Sequence, residues 1–157
     1  MKFLTKPVLA LFLACSTLAV ARADGSWLTS YKQALKVSKE TGKPILADFT
    51  GSDWCHWCIQ LHREVFDTAK FKKWAAKNVV LLELDYPRRT PQPAELRQQN
   101  LGLLRKFSYI RGYPTILFLK SDGTAFGKYG YDWGGPDHWT QFADRLLKLK
   151  QGPTAQR

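Results

Sequence analysis

Cys55 and Cys58 stand two residues apart in the run Trp54-Cys55-His56-Trp57-Cys58, and Cys15 is the only other cysteine among 157 residues. Two thiols at this spacing close a small disulfide or open to a dithiol, which is redox chemistry carried by side chains alone. The thiolate rather than the thiol attacks disulfides, so reactivity depends on what surrounds Cys55. So short a loop restrains the unfolded chain little, and function explains the pair better than stability does. A second chemistry competes for the same residues. Cys55, Cys58 and His62 fall at i, i+3 and i+7 of one prospective helix and could face a copper or zinc ion together. A structural zinc site takes a fourth protein ligand, and His138 lies far along the chain with no spacing that points here, so no metal is expected. Haem attachment fails sooner, because Ile59 stands where C-x-x-C-H needs histidine.

The N-terminus sets the compartment in which such a pair would work. Lys2 and Lys6 precede an apolar run over residues 7–20, and Ala21-Arg22-Ala23 has the small, any, small pattern of a signal-peptidase site. Residues 1–23 therefore read as a signal peptide and Asp24 as the first mature residue, which implies export to a bacterial periplasm or cell envelope. The apolar run is shorter than the roughly 17 to 25 residues that span a bilayer. Phe12-Leu13-Ala14-Cys15 loosely matches a bacterial lipoprotein signal, so acylation of Cys15 is the competing reading. Either way Cys55 and Cys58 are left as a close pair, unlike the several pairs of a disulfide-stapled secreted scaffold.

The formal charge is +11 and stays strongly positive without Lys2, Lys6 and Arg22. The cations are scattered, with small clusters at Lys70/Lys72/Lys73 and Arg88/Arg89. A nucleic-acid binder gathers them in one stripe beside aromatic platforms, so this distribution reads as a solvated basic surface and no nucleic-acid partner is expected.

The elements that must position the cysteines follow from periodicity and turn residues. Residues 24–151 suit one domain and one core, which six Trp, six Tyr and nine Phe can fill, with a flexible tail over 152–157. Trp27, Tyr31, Ala34, Leu35 and Ser38 recur at helical spacing before Gly42 and Pro44. Residues 44–50 (PILADFT) read as a buried strand, and Gly51-Ser52-Asp53 turns the chain into a helix beginning near Cys55. That helix should bury some of Ile59, Leu61, Val65 and Phe66. A short helix over 68–77 and a strand over 78–85 follow. Three prolines make 86–93 a loop. Leu96, Asn100, Leu103, Leu104 and Phe107 then mark a helix face, 115–120 and 125–131 form a hairpin, and Trp139, Phe142, Ala143, Leu146 and Leu149 mark the last helix. Such an order predicts an α/β domain whose mixed central sheet has helices on both faces and ends in a β-hairpin and helix.

Three motifs in that order resemble the thioredoxin family over residues 43–131. Ala47-Asp48-Phe49 is similar to the strand that carries a buried acid, Trp54-Cys55-His56-Trp57-Cys58 to the redox site, and Ile110-Arg111-Gly112-Tyr113-Pro114-Thr115 to the loop with the family's cis-proline. A C-x-x-C that follows a strand and opens a helix has the context that makes it specific. Glu64-Val65-Phe66 and the aromatic flanks bring the chain nearer to exported bacterial thiol:disulfide interchange proteins than to cytosolic thioredoxin. The resemblance implies a thioredoxin fold, a redox-active Cys55–Cys58 disulfide, and Asp48 as the group that exchanges the Cys58 proton. Asp48 is seven residues before Cys55, one more than is typical, so the 51–53 turn must absorb an insertion. Leu81 stands where many thioredoxins carry the lysine that pairs with the acid.

The site residues have expected roles that do not depend on the resemblance. At a helix start Cys55 meets unpaired N–H groups and the positive dipole end, which makes it the attacking nucleophile. Cys58, one turn on and on the same side, is the resolving thiol. His56 either donates to the Cys55 sulfur or is a plain surface histidine. A strand-end location would leave Asp48 exposed; a buried one would raise its pKa. A cis bond before Pro114 would open the Tyr113 backbone to an extended substrate, with Trp54, Trp57 and Tyr113 as an apolar rim, while Trp27, Trp74, Trp133 and Trp139 read as packing. The expected partners are proteins with thiols or disulfides and a membrane-bound redox protein, and the expected state is a monomer without a cofactor. A peptide-binding module without turnover is a further alternative, against which the intact cysteines argue. The direction of electron flow is open at this level. The lack of an inserted helical domain, as found in strong periplasmic oxidases, favours a reductase or isomerase.

Overall fold

A period of two sorts the strand side chains between two cores. Ala47 and Phe49 of β1 (Ile45–Thr50), Leu82 and Leu84 of β2 (Val80–Asp85), and Leu117 and Leu119 of β3 (Thr115–Leu119) face one side. Their neighbours Leu46, Leu81, Ile116 and Phe118 face the other. Alternate residues of a strand point to opposite faces, so a sheet buried on both sides needs apolar residues at nearly every position. All six β1 positions are buried. The strand order is β2-β1-β3-β4, with β4 (Ala125–Tyr129) at the edge, β1 parallel to β2, and the β1–β3 and β3–β4 pairs antiparallel. This is the mixed sheet expected from the sequence. The computed structural model describes residues 25–150. The signal-peptide reading of 1–23, the acylation of Cys15 and the tail over 152–157 lie outside the described residues. No helix among the described residues is long and apolar enough to cross a membrane.

Helices cover both faces. α1 (Tyr31–Thr41) and α4 (Ala94–Lys106) pack on the first core through Ala34, Val37 and Leu103, joined by Phe107. α2 (His56–Leu61), a π-helical turn (His62–Phe66), α3 (Ala69–Asn78) and α5 (Gly135–Lys150) close the second through Leu61, Val65, Phe66, Phe71 and Ala75, with Trp139 and Ala143. Trp139 is fully buried, edge-on to Phe66 and Phe71 at 5.2 and 5.6 Å between ring centroids, and its Nε1 donates to Gly130 O. Edge-to-face rings are favoured by the aromatic quadrupole.

Several boundaries differ from the sequence reading for identifiable reasons. Trp27, read as the first turn of a helix, precedes it, because Ser30 caps α1 by accepting from the Gln33 N–H. The segment before the cap is extended instead, with Leu28 bridging Leu82 through bonds to Leu81 O and from Glu83 N. α1 ends at Gly42, whose φ of 72° is the left-handed conformation that glycine adopts without penalty. β2 begins at Val80, since Asn78 closes α3 by donating to Trp74 O. Two apolar residues assigned to packing are exposed. Leu149 is past the last core contacts of α5, Leu146 and Leu147, and Trp133 projects from the loop after β4.

Candidate active site

β1 and α2 meet at a tight turn that presents the cysteines. The Trp54 and Cys55 N–H groups both donate to Gly51 O, and Ser52 is held from outside by Asp85, which accepts from its N–H and its hydroxyl. Gly51 is required by close approach, since a Cβ there would stand 2.6 Å from the Trp54 indole. Cys55 is the N-cap of α2, extended in backbone, and its Sγ accepts from the Cys58 N–H at 3.3 Å. The two cysteines form a disulfide with Cα atoms 5.3 Å apart, and Cys55 is 6% exposed against 1% for Cys58. Once reduced, the Cys55 sulfur sits where a helix start offers N–H donors and the positive end of the dipole, both of which favour a thiolate.

Asp48 is fully buried in β1, which rules out the exposed strand-end placement. Burial pushes its pKa up, more than the bond and charge of His62 pull it down, with Asp85 adding to the rise. Its Oδ2 lies 2.9 Å from His62 Nε2, while its Oδ1 has no hydrogen-bond partner among the described residues. By sequence alone His62 reads only as a candidate metal ligand. Its i+4 spacing from Cys58 was the legible signal for a place on the same helix face. Burial opposes its charge, but the bond and charge of Asp48, with Glu83 and Asp67, outweigh that and raise its pKa. Thr50, Cys58, His62, Arg63 and Glu83 share one cleft of about 290 Å³, so the ring has solvent on one side and the buried acid on the other. With Nε2 engaged by Asp48 and the cysteines bonded to each other, the proposed Cys55/Cys58/His62 ligand set is not assembled. No group of three or more His, Cys, Asp or Glu among the described residues is placed to hold a metal ion.

The π-helical turn contributes to this arrangement. Asp67 N–H donates to His62 O, an i to i+5 bond that inserts one residue into the turn. Val65 and Phe66 consecutively enter the core, and Glu64 is left to accept from the Tyr131 hydroxyl and from Gln60. π turns are frequent at functional sites because they rephase a helix locally.

The peptide bond between Tyr113 and Pro114 is cis. Tyr113 and Pro114 share an open cleft with Trp57, Gly130, Tyr131 and Trp133. The two tryptophans around Cys55 differ in status. Trp54 is committed internally, its Nε1 donating to Tyr86 O, its edge meeting Tyr113 and its face covered by the Arg88 guanidinium at 3.6 Å. Trp57 is 45% exposed. His56 is exposed and packs edge-on against Trp57 at 5.1 Å.

Asp53 holds the 86–93 loop over this site by accepting from the Arg88, Arg89 and Thr90 N–H groups at 2.9, 2.8 and 2.8 Å. These bonds, that of Arg88 foremost, lower its pKa to about 2. A lowered carboxylate pKa contributes order that is present above its ordinary 3.8 and lost as pH falls through about 2. Amide exchange at Arg88, Arg89 and Thr90 is expected to accelerate in that acid window, and in Asp53→Ala at every pH. Unchanged protection in the variant would show that the loop stands without this clasp.

Comparison with known proteins agrees with this geometry. Residues 31–135 match the thioredoxin-like domain family. The disulfide bond reductase DsbH of Chlamydia pneumoniae is 34% identical over 134 residues, 85% of this chain and 80% of that protein. The thioredoxin-related protein DsbJ of the same organism is 36% identical over 118 residues, 73% of this chain but 34% of that protein. A solved DsbH oxidoreductase superposes with a TM-score of 0.75 at 32% identity, covering 92% of this chain and 96% of that one. The C-terminal domain of Neisseria meningitidis DsbD in its oxidised form, at 18% identity and a TM-score of 0.55, shares the fold. The chain belongs to the thioredoxin-like domain family.

Proposed function

We propose that this chain is an exported disulfide reductase that passes two electrons from its Cys55/Cys58 dithiol to disulfides of substrate proteins. The observation that carries the reading is the Cys55 sulfur at the start of α2, accepting from the Cys58 N–H, in a chain 34% identical over most of its length to a protein named a disulfide bond reductase. The Cys55 thiolate attacks a substrate disulfide, forming a mixed disulfide and releasing one substrate thiolate. Cys58 then loses its proton and attacks Cys55 Sγ. The Cys55–Cys58 bond forms, the second substrate sulfur leaves and is protonated, and the substrate is reduced as the pair is oxidised.

Asp48 takes the Cys58 proton, with His62 holding its carboxylate and the shared cleft connecting the pair to solvent. Trp57, Tyr113 and Pro114 receive the substrate, and Trp54 shapes the rim from beneath Arg88. His56 tunes the thiolate through charge when protonated. Residues 1–23 are the export signal of a domain over 24–151 that works as a monomer, and a membrane-bound protein returns the pair to its dithiol form.

Equilibration of the protein with a glutathione series tests the direction. The potential is expected nearer the reducing end (about −270 mV) than the oxidising end (about −120 mV) of the range this fold covers. The reduced protein should also precipitate insulin by cleaving its disulfides. A potential near the oxidising end, with no insulin reduction, would replace the reading by an oxidase.

A further inference from the structure

Trp133 is 65% exposed, the most exposed of the large aromatics among the described residues, yet its loop is pinned on every side. Ahead of it, Gly130 O accepts from the buried Trp139 indole. Beside it, Asp132 accepts from the Tyr129 hydroxyl at 2.8 Å and lies 3.0 Å from His138 Nε2. Behind it, Gly134 adopts a φ of 115° and leaves no room for a side chain, because a Cβ would stand 2.9 Å from that of His138. Tyr131, two residues earlier, donates to Glu64 Oε2 and accepts from Gln60 Nε2, which ties it to the π-helical turn. The loop is therefore fixed in a form that keeps an indole in water.

The rings it presents form one surface. Tyr131 stacks on Trp57 at 5.4 Å, and Trp133 meets Trp57 and Tyr131 edge-on at 5.8 and 5.3 Å. With Tyr113 and cis-Pro114 they line a cleft of about 380 Å³. Trp57 belongs to the redox motif itself, so one lining residue of this cleft stands two positions from Cys55 in the chain. Contiguous exposed apolar surface marks an interaction site, and rigid aromatic rings bind at little entropic cost because they are already ordered.

We infer that Trp133 and Tyr131 form, with Trp57, a side wall that selects substrate segments carrying an aromatic or large aliphatic side chain beside the disulfide cysteine. The inference rests on the reductase reading and names its substrate class. The occupant is an extended polypeptide rather than a small thiol, since the wall extends the surface at which a substrate chain meets the cis-proline loop. The cleft offers no charged side chain among its lining residues, so an apolar group is the chemistry it complements.

The test uses pre-reduced full-length protein, hydroxyethyl disulfide, and two disulfide peptides identical except for Phe or Ser beside the cysteine. Second-order rate constants are read from tryptophan fluorescence. Burial of one large apolar side chain predicts that the wild type reacts about tenfold faster with the Phe peptide than with the Ser peptide. Trp133→Ala should reduce that ratio to roughly twofold, with each rate normalised to hydroxyethyl disulfide in the same preparation. Trp133→Phe should keep most of the preference. Leu101→Ala, which trims an exposed apolar residue of α4 outside the cleft, should keep all of it. Equal rates for the two peptides in the wild type, or a ratio untouched by Trp133→Ala, overturns the assignment. Failure to reduce all three disulfides overturns the reductase reading and the wall with it.

Discussion

Cys58→Ser is expected to halt the reaction at the mixed disulfide, so that substrate proteins accumulate as adducts on Cys55 that dithiothreitol releases. Cys55→Ser is expected to lower disulfide reduction by at least about a thousandfold, the scale of losing a catalytic nucleophile, and to trap nothing. The asymmetry comes from position. Cys55 caps α2 and its sulfur already accepts an N–H, whereas Cys58 is one turn further in and all but buried. Without the Cys58 thiol no second cysteine among the described residues is left to attack Cys55 Sγ, and the covalent complex persists. Non-reducing electrophoresis and mass spectrometry after a substrate challenge decide the matter, and equal trapping by both variants would contradict the order of attack.

Asp48→Asn is expected to have opposite effects on stability and on turnover. A carboxylate with no exposure and one unpaired oxygen favours its protonated form, so the folded state holds a proton that the unfolded chain releases near pH 3.8. His62 acts in the same sense, because its pKa is raised and the folded state keeps that proton above the ordinary 6.5. Both groups contribute stability that is fully present below the unfolded pKa and declines as pH rises through the folded one. The wild type should therefore lose stability as pH climbs from 4 through neutrality. Asn at position 48 removes the buried charge and the main partner raising the His62 pKa. The variant should have a flatter pH profile, its stability gaining on that of the wild type as pH rises. Its resolution step should slow by roughly tenfold to a hundredfold near neutral pH, where the lost base is the proton acceptor for Cys58. Denaturant unfolding across pH and stopped-flow decay of a mixed disulfide measure the two effects separately. A resolution rate unchanged across pH would remove Asp48 from proton transfer, whatever happened to stability.

Much of the scaffold was legible because its signals are local. Gly42 with its left-handed φ, the apolar run 44–50 and the hairpin over 115–120 and 125–131 each state their conformation within a few residues. The redox pair was legible for the same reason, since Cys55 and Cys58 are brought together by one helical turn. The cis bond at Pro114 was read through family resemblance, because spacing alone does not distinguish cis from trans.

Contacts between distant segments were the harder part. Trp27 fitted a helical period, but pairing of Leu28 with β2 competes for that backbone and wins, as only the folded sheet supplies the partner strand. Trp133 read as core in an aromatic-rich chain, yet the bonds that pin its loop from Tyr129, His138 and Trp139 hold it in solvent.

By itself the sequence determined the order of elements, the alternation that buries β1 on both faces, and the pair Cys55/Cys58 at a helix start. The tertiary structure alone decided what surrounds that pair: Asp48 against His62, Tyr131 and Trp133 against Trp57, and Asp53 clasping the loop that lays Arg88 on Trp54. The physical reason is range. Periodicity and turn chemistry act between neighbours, whereas a buried charge or an exposed indole is defined by groups 14 to 76 residues away, which only packing brings within a few ångströms.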